Sequence, residues 1–130
     1  MNMSEIKLFR LNYEAVIRDL KDYAERVVER GALAVILVGS LARGDYTAFS
    51  DADIIIIVGE SRERPMDRTI KYLEPKASID IEPRVYTIKE IQKMMGIRAK
   101  IIEEIAKHGI LLSGGKEIIK EIKQIINANT

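Results

Sequence analysis

Gly39-Ser40-Leu41-Ala42-Arg43-Gly44-Asp45-Tyr46-Thr47-Ala48-Phe49-Ser50-Asp51-Ala52-Asp53 is the stretch on which the reading of this chain turns. Before it stands Ala32 to Val38, a short apolar run rich in branched side chains. Its length predicts a central strand buried on both faces. After it, Asp53 to Val58 reads as a second central strand, ended by Gly59. The quoted residues therefore supply a Gly-Ser turn behind one buried strand and two alternating carboxylates at the head of the next. Gly44 is placed to end a short helical turn between them.

Outward from this centre, helices and strands alternate. Ile6, Phe9, Tyr13, Val16, Ile17, Leu20, Ala24 and Val27 recur at helical spacing, with Ser4 as a cap and Gly31 as a left-handed end. Met66, Ile70 and Leu73 share one helical face before Pro75. Ala77 to Tyr86 alternates, with Ile79 and Ile81 on one side and Asp80 and Glu82 on the other. This predicts a third strand, in which Pro83 marks a bend or an edge position. Thr87 and Glu90 form a capping box for a helix carrying Ile88, Ile91 and Met95 inward. That helix is weakened at Gly96 and resumes through Ile101, Ile102 and Ile105 to Gly109. Ile110 to Leu112 is a short edge strand or a buried link. A last helix presents Ile118, Ile119, Ile122, Ile125 and Ile126 as one stripe. The expected class is α/β, as one domain over residues 1–130.

Composition narrows the function classes. The chain has 130 residues, 47 % of them hydrophobic, enough for a real core. Charged residues make up 32 % and nearly cancel to +1, so no strongly basic face for gripping long nucleic acid is apparent. Cysteine is absent, which excludes disulfides and thiolate metal sites. Met1 to Arg10 is too charged for a signal peptide, and Ile54 to Val58 is too short to cross a bilayer. The expectation is a cytoplasmic protein without a membrane partner.

The chemistry-bearing residues follow from the strand pattern. Residues i and i+2 on a strand point to one face with Cα atoms roughly 6–7 Å apart. Asp51 and Asp53 can thus approach one point, where their mutual repulsion favours a divalent cation such as Mg²⁺ or Mn²⁺. Ser50-Asp51 is also ordinary turn chemistry, but Asp53 opens an apolar run where a solvated carboxylate is out of place. Gly39 and Ser40 offer backbone N–H groups and a hydroxyl at the start of a helical turn, where anions bind readily. The Walker ending Gly-Lys-Ser/Thr is missing. Arg43 can neutralise a triphosphate, or brace Asp45 or a strand carboxylate. Asp80 is the candidate third carboxylate, with Glu82 on the same face as its rival. His108 closes a predicted helix beside Gly109, where the helix dipole accounts for it.

Taken together, Gly39-Ser40, Ala42-Arg43-Gly44 and Asp51-x-Asp53 resemble the minimal nucleotidyltransferases of the DNA polymerase beta superfamily. The resemblance covers Ala32 to Tyr86 strongly and the flanking helices in general layout. It implies a mixed β-sheet with helices packed against it. It also implies Asp51, Asp53 and Asp80 as catalytic ligands of two Mg²⁺ or Mn²⁺ ions, with Gly39 and Ser40 holding the triphosphate of ATP or another NTP. A nucleoside monophosphate would pass to an acceptor, with pyrophosphate leaving. At this length the chain looks like antitoxins of the MNT/HEPN type, whose small transferase binds a HEPN partner and can adenylylate it on tyrosine. Three other readings stay open: a binding protein acting by contact alone, a transferase acting on RNA ends, and one acting on a small molecule. A homo-oligomer is also left open.

Overall fold

Two runs that offer water almost no polar side chain pair with each other at the middle of a sheet. They are β1 (Ala34–Val38) and β2 (Ala52–Val58), joined antiparallel. The computed structural model describes residues 12–47, 49–74 and 79–128, and only the backbone over 125–128. Ser4, Ile6, Phe9, Pro75, the strand start at Ala77 and the side chains of Ile125 and Ile126 lie outside the described residues.

On one flank β3 (Ile81–Thr87) runs parallel to β2, and on the other β4 (Ile110–Gly114) runs antiparallel to β1. The order is β3-β2-β1-β4, a mixed sheet. Pro83 thus sits in an edge strand, where its missing N–H costs no ladder bond on the outer side. Ile110 begins a true edge strand rather than a link.

Alternation along the two central strands sends side chains to both faces, and each face has its own helices. Val35, Leu37, Ala52, Ile54 and Ile56 meet Val16, Leu20, Tyr23, Ala24 and Val27 of α1 (Tyr13–Glu29). Ala34, Ile36, Val38, Ile55 and Ile57 meet α4 (Ile88–Gly96), α5 (Lys100–His108) and α6 (Lys116–Ala128). Their contributions are Ile91 and Met95, Ile102 and Ile105, and Ile122. Between these elements lie α2 (Ser40–Arg43), after β1, and α3 (Pro65–Ile70), in the crossover from β2 to β3.

One expectation is corrected. The helix expected to weaken at Gly96 and resume is two separate helices, with Arg98 between them at φ 50°. The turn allows two short apolar faces, Ile91/Met95 and Ile102/Ile105, to lie on the same side of the sheet. The apolar stripe of α3 faces outward: Met66 is 74 % and Ile70 59 % exposed, and Leu73 beyond it is also exposed. What α3 buries is Arg68, whose guanidinium donates to the Glu63 carbonyl at 3.0 Å and to Glu90 Oε1 at 2.6 Å. A charge so satisfied is tolerated inside.

The capping box that opens α4 is present. Thr87 Oγ1 accepts from the Glu90 N–H at 3.2 Å, and Glu90 Oε1 accepts from the Thr87 N–H at 2.8 Å. Among the described residues no helix is long and apolar enough to cross a membrane.

Candidate active site

Strand register brings the separated pieces of the motif together. Antiparallel pairing places Val38, the last residue of β1, opposite Asp53 near the start of β2. Gly39 is the next residue and therefore abuts Asp53. Its backbone lies at φ 78° and ψ −161°, a conformation open to glycine and strained for other residues. A Cβ on Gly39 would also collide with the Asp53 carboxylate. Both constraints demand glycine here.

The parallel pairing of β2 with β3 sets Asp53 beside Glu82. Neighbours in register point the same way, so Glu82 joins the face of Asp51 and Asp53. The Asp51 carboxylate first of all, and after it the Asp53 carboxylate, push the Glu82 carboxyl above the ordinary value of 4.5. Three acids from two adjacent strands therefore crowd one place.

Asp80 is not brought into this group. It precedes β3, its side chain is exposed, and its backbone carbonyl accepts from the Ala52 N–H at 2.8 Å. Asp80 and Glu82 have the same parity, so alternation could not choose between them; the pull of both aspartates on Glu82 does. The expected strand over Ala77 to Tyr86 had put Asp80 in mid-strand, whereas β3 begins only at Ile81.

Opposite the acids lies the Gly-Ser turn. The Gly39 N–H donates to Glu104 Oε1 of α5 at 2.9 Å, and Arg43 Nη1 donates to the same oxygen at 2.7 Å. Arg43 Nε also reaches Asp45 Oδ2 at 3.4 Å, the brace expected from sequence. Ser40 Oγ donates to Ser50 Oγ at 3.0 Å, and Ser50 Oγ accepts from the Thr47 N–H at 2.8 Å. This chain of hydroxyls ties the turn to the residue preceding Asp51. The Tyr13 ring stacks on Tyr46 at 4.8 Å between centroids, while its hydroxyl donates to the Leu41 carbonyl at 2.9 Å. α1 is thereby fastened to α2 and to the loop that follows it. Glu104 and Ser50 were not singled out from sequence. Glu104 had no signal beyond a place on a helix, and Ser50 read as turn chemistry.

The chain matches the nucleotidyltransferase domain family over residues 20–126. It belongs to that family. One relative, named "Putative protein adenylyltransferase MJ0141", of Methanocaldococcus jannaschii, is 27 % identical over 99 residues, covering 73 % of this chain and 93 % of its own. Among solved structures, a nucleotidyltransferase candidate from Sulfolobus solfataricus superposes with a TM-score of 0.55 at 20 % identity, over 85 % of this chain and 87 % of the other. A toxin-antitoxin crystallised with AMP-PNP gives 0.56 at 13 % identity, over 84 % and 86 %. A mutant of the toxin-antitoxin MntA-HpeT gives 0.52 at 14 % identity, over 91 % and 86 %. These structures share the fold of this nucleotidyltransferase domain.

Nucleotidyltransferases of this kind generally use divalent metals. Among the described residues no three His, Cys, Asp or Glu side chains are spaced to hold an ion as they stand. Glu82 nevertheless feels both Asp51 and Asp53, and all three offer hard oxygen donors. Two aspartates that raise the proton affinity of Glu82 suit a divalent cation, which replaces the proton as the neutralising charge. The residues present fit the group. A separate cleft of about 370 Å³, lined by Arg30, Val58, Gly59, Lys71 and Tyr72, lies toward the far end of β2.

Proposed function

We propose that this nucleotidyltransferase domain moves AMP from ATP onto a hydroxyl of a partner protein, the acceptor being a tyrosine of a HEPN-type toxin that it neutralises. The observation that carries the reading is the meeting of Asp51, Asp53 and Glu82 beside the Gly39–Ser40 turn. The adenylyltransferase name of the M. jannaschii relative supports a protein acceptor. Toxin-antitoxin complexes among the structures of the same fold, one with AMP-PNP, support the partner and the nucleotide.

Two Mg²⁺ or Mn²⁺ ions held by Asp51, Asp53 and Glu82 would supply charge neutralisation for the triphosphate and for the attacking oxygen. The protein's own groups do the rest. The Gly39 N–H and Ser40 hydroxyl receive phosphate oxygens, and Arg43 adds a cation beside them. The Ser40–Ser50 link holds the cradle in register with Asp51, and Ser40 keeps it as acceptor from the Ser50 hydroxyl when its own proton turns to phosphate. The acceptor oxygen forms a bond to the α-phosphorus, the bond from that phosphorus to the bridging oxygen breaks, and pyrophosphate leaves. The acceptor's proton passes to solvent. Positioning and fixed charge carry the rate, so no catalytic histidine is required.

The test is incubation of the purified chain, Mg²⁺ and α-labelled ATP with a HEPN-type protein from the same genome. Label on a partner tyrosine, lost in the Asp51→Asn/Asp53→Asn variant, is the expected result. Stoichiometric binding without label would replace transfer by neutralisation through contact.

A further inference from the structure

We propose that Glu104 is an internal stand-in for nucleotide phosphate, which occupies the cradle in the empty protein and must swing out before a triphosphate can enter. The inference rests on reading Gly39 and Arg43 as phosphate donors. Both of those donors converge on one atom, Glu104 Oε1, at 2.9 and 2.7 Å. A backbone N–H and a guanidinium aimed at a single anionic oxygen treat a carboxylate and a phosphate alike.

The placement argues against a mere brace. Gly39 also abuts the Asp53 carboxylate, so Glu104 sets one more negative charge beside an acid that it would repel. A glutamine in this place would accept the same two hydrogen bonds more weakly, without the ion pair to Arg43 and without a charge to add to that repulsion. The arrangement is also built to open. Ile102 and Ile105 are fully buried and pin α5 to the sheet, while the Glu104 side chain is 30 % exposed. It can leave by a rotamer change, with the helix staying in place. Arg43, when released, still has Asp45 at 3.4 Å.

Glu104 therefore sets nucleotide affinity. The measured dissociation constant is the intrinsic one divided by the fraction of molecules whose cradle is open. Titration calorimetry with Mg²⁺–AMP-PNP and with Mg²⁺–pyrophosphate tests this on wild type, Glu104→Gln, Glu104→Ala and, as a control on the same helix, Glu103→Gln. Both Glu104 variants should bind both probes more tightly, by about three- to tenfold, while Glu103→Gln matches wild type. Melting temperatures without ligand confirm that each variant is folded.

Unchanged or weaker binding in the folded Glu104 variants, with wild type binding normally, would overturn the stand-in and leave the nucleotide site intact. Failure of every folded protein to bind either probe would remove the nucleotide reading of the cradle, and this inference with it.

Discussion

Asp51 and Asp53 are separated by one residue, and Glu82 joins them only through the pairing of β2 with β3. Role and position therefore part company at the third acid. Replacing Glu82 with Gln should lower transfer by about a hundredfold or more, the scale of losing one transition-state stabiliser. Asp80→Asn should stay near wild type, and steady-state kinetics on the two variants separates them. In chelator the same Glu82→Gln change should raise the melting temperature at neutral pH. An acid whose folded pKa lies above 4.5 disfavours the fold once it ionises, and the amide does not ionise. Gly39 admits no such latitude. Gly39→Ala meets both a left-handed φ and the Asp53 carboxylate, and should cost at least about 1–3 kcal/mol in denaturant unfolding while abolishing nucleotide binding.

At the level of elements, α4 depends on its first turn. Glu90 caps Thr87 and pairs with Arg68, and its backbone bond to Thr87 leads in holding its pKa below 4.5. A depressed folded pKa gives stability that is complete above 4.5 and is lost as pH falls through the lower folded value. Glu90→Gln should flatten that acid limb, read as midpoint denaturant concentration from pH 6 down to pH 3. On α5, Ile105 is fully buried against the sheet; Ile105→Ala should cost about 2–5 kcal/mol by the same unfolding measurement. Sequence periodicity recovered these faces because each helix lays one stripe on the sheet. On α3 the shared face is turned outward, with Met66 and Ile70 exposed and Arg68 enclosed. An apolar period says which residues share a face, while the side on which that face lies depends on charges such as Glu90 from elsewhere in the chain.

Across the whole molecule, the legible part of the fold was its centre. Ala34–Val38 and Ala52–Val58 announced themselves by composition, and the Gly-Ser and Asp-x-Asp pieces by their places at the strand ends. Less legible was whatever depends on which strand lies beside which. The antiparallel pairing of β1 with β2 and the parallel pairing of β2 with β3 bring Gly39, Asp53 and Glu82 side by side. No local pattern encodes that adjacency, so the third acid was assigned to Asp80. Glu104 is a stronger case, reaching Gly39 across 65 positions of sequence. Long-range partners of this kind carry no spacing rule.

The abutment of Gly39 and Asp53 also bears on descent. Each position limits the replacements the other will tolerate, so descendants are not free to alter them independently. A lineage that abandoned catalysis and shed the aspartate would lift one of the two constraints on the glycine, leaving the backbone angle as the other. Erosion of one should therefore be accompanied by drift at the other, leaving a paired scar by which an inactive cousin could be told from a working enzyme.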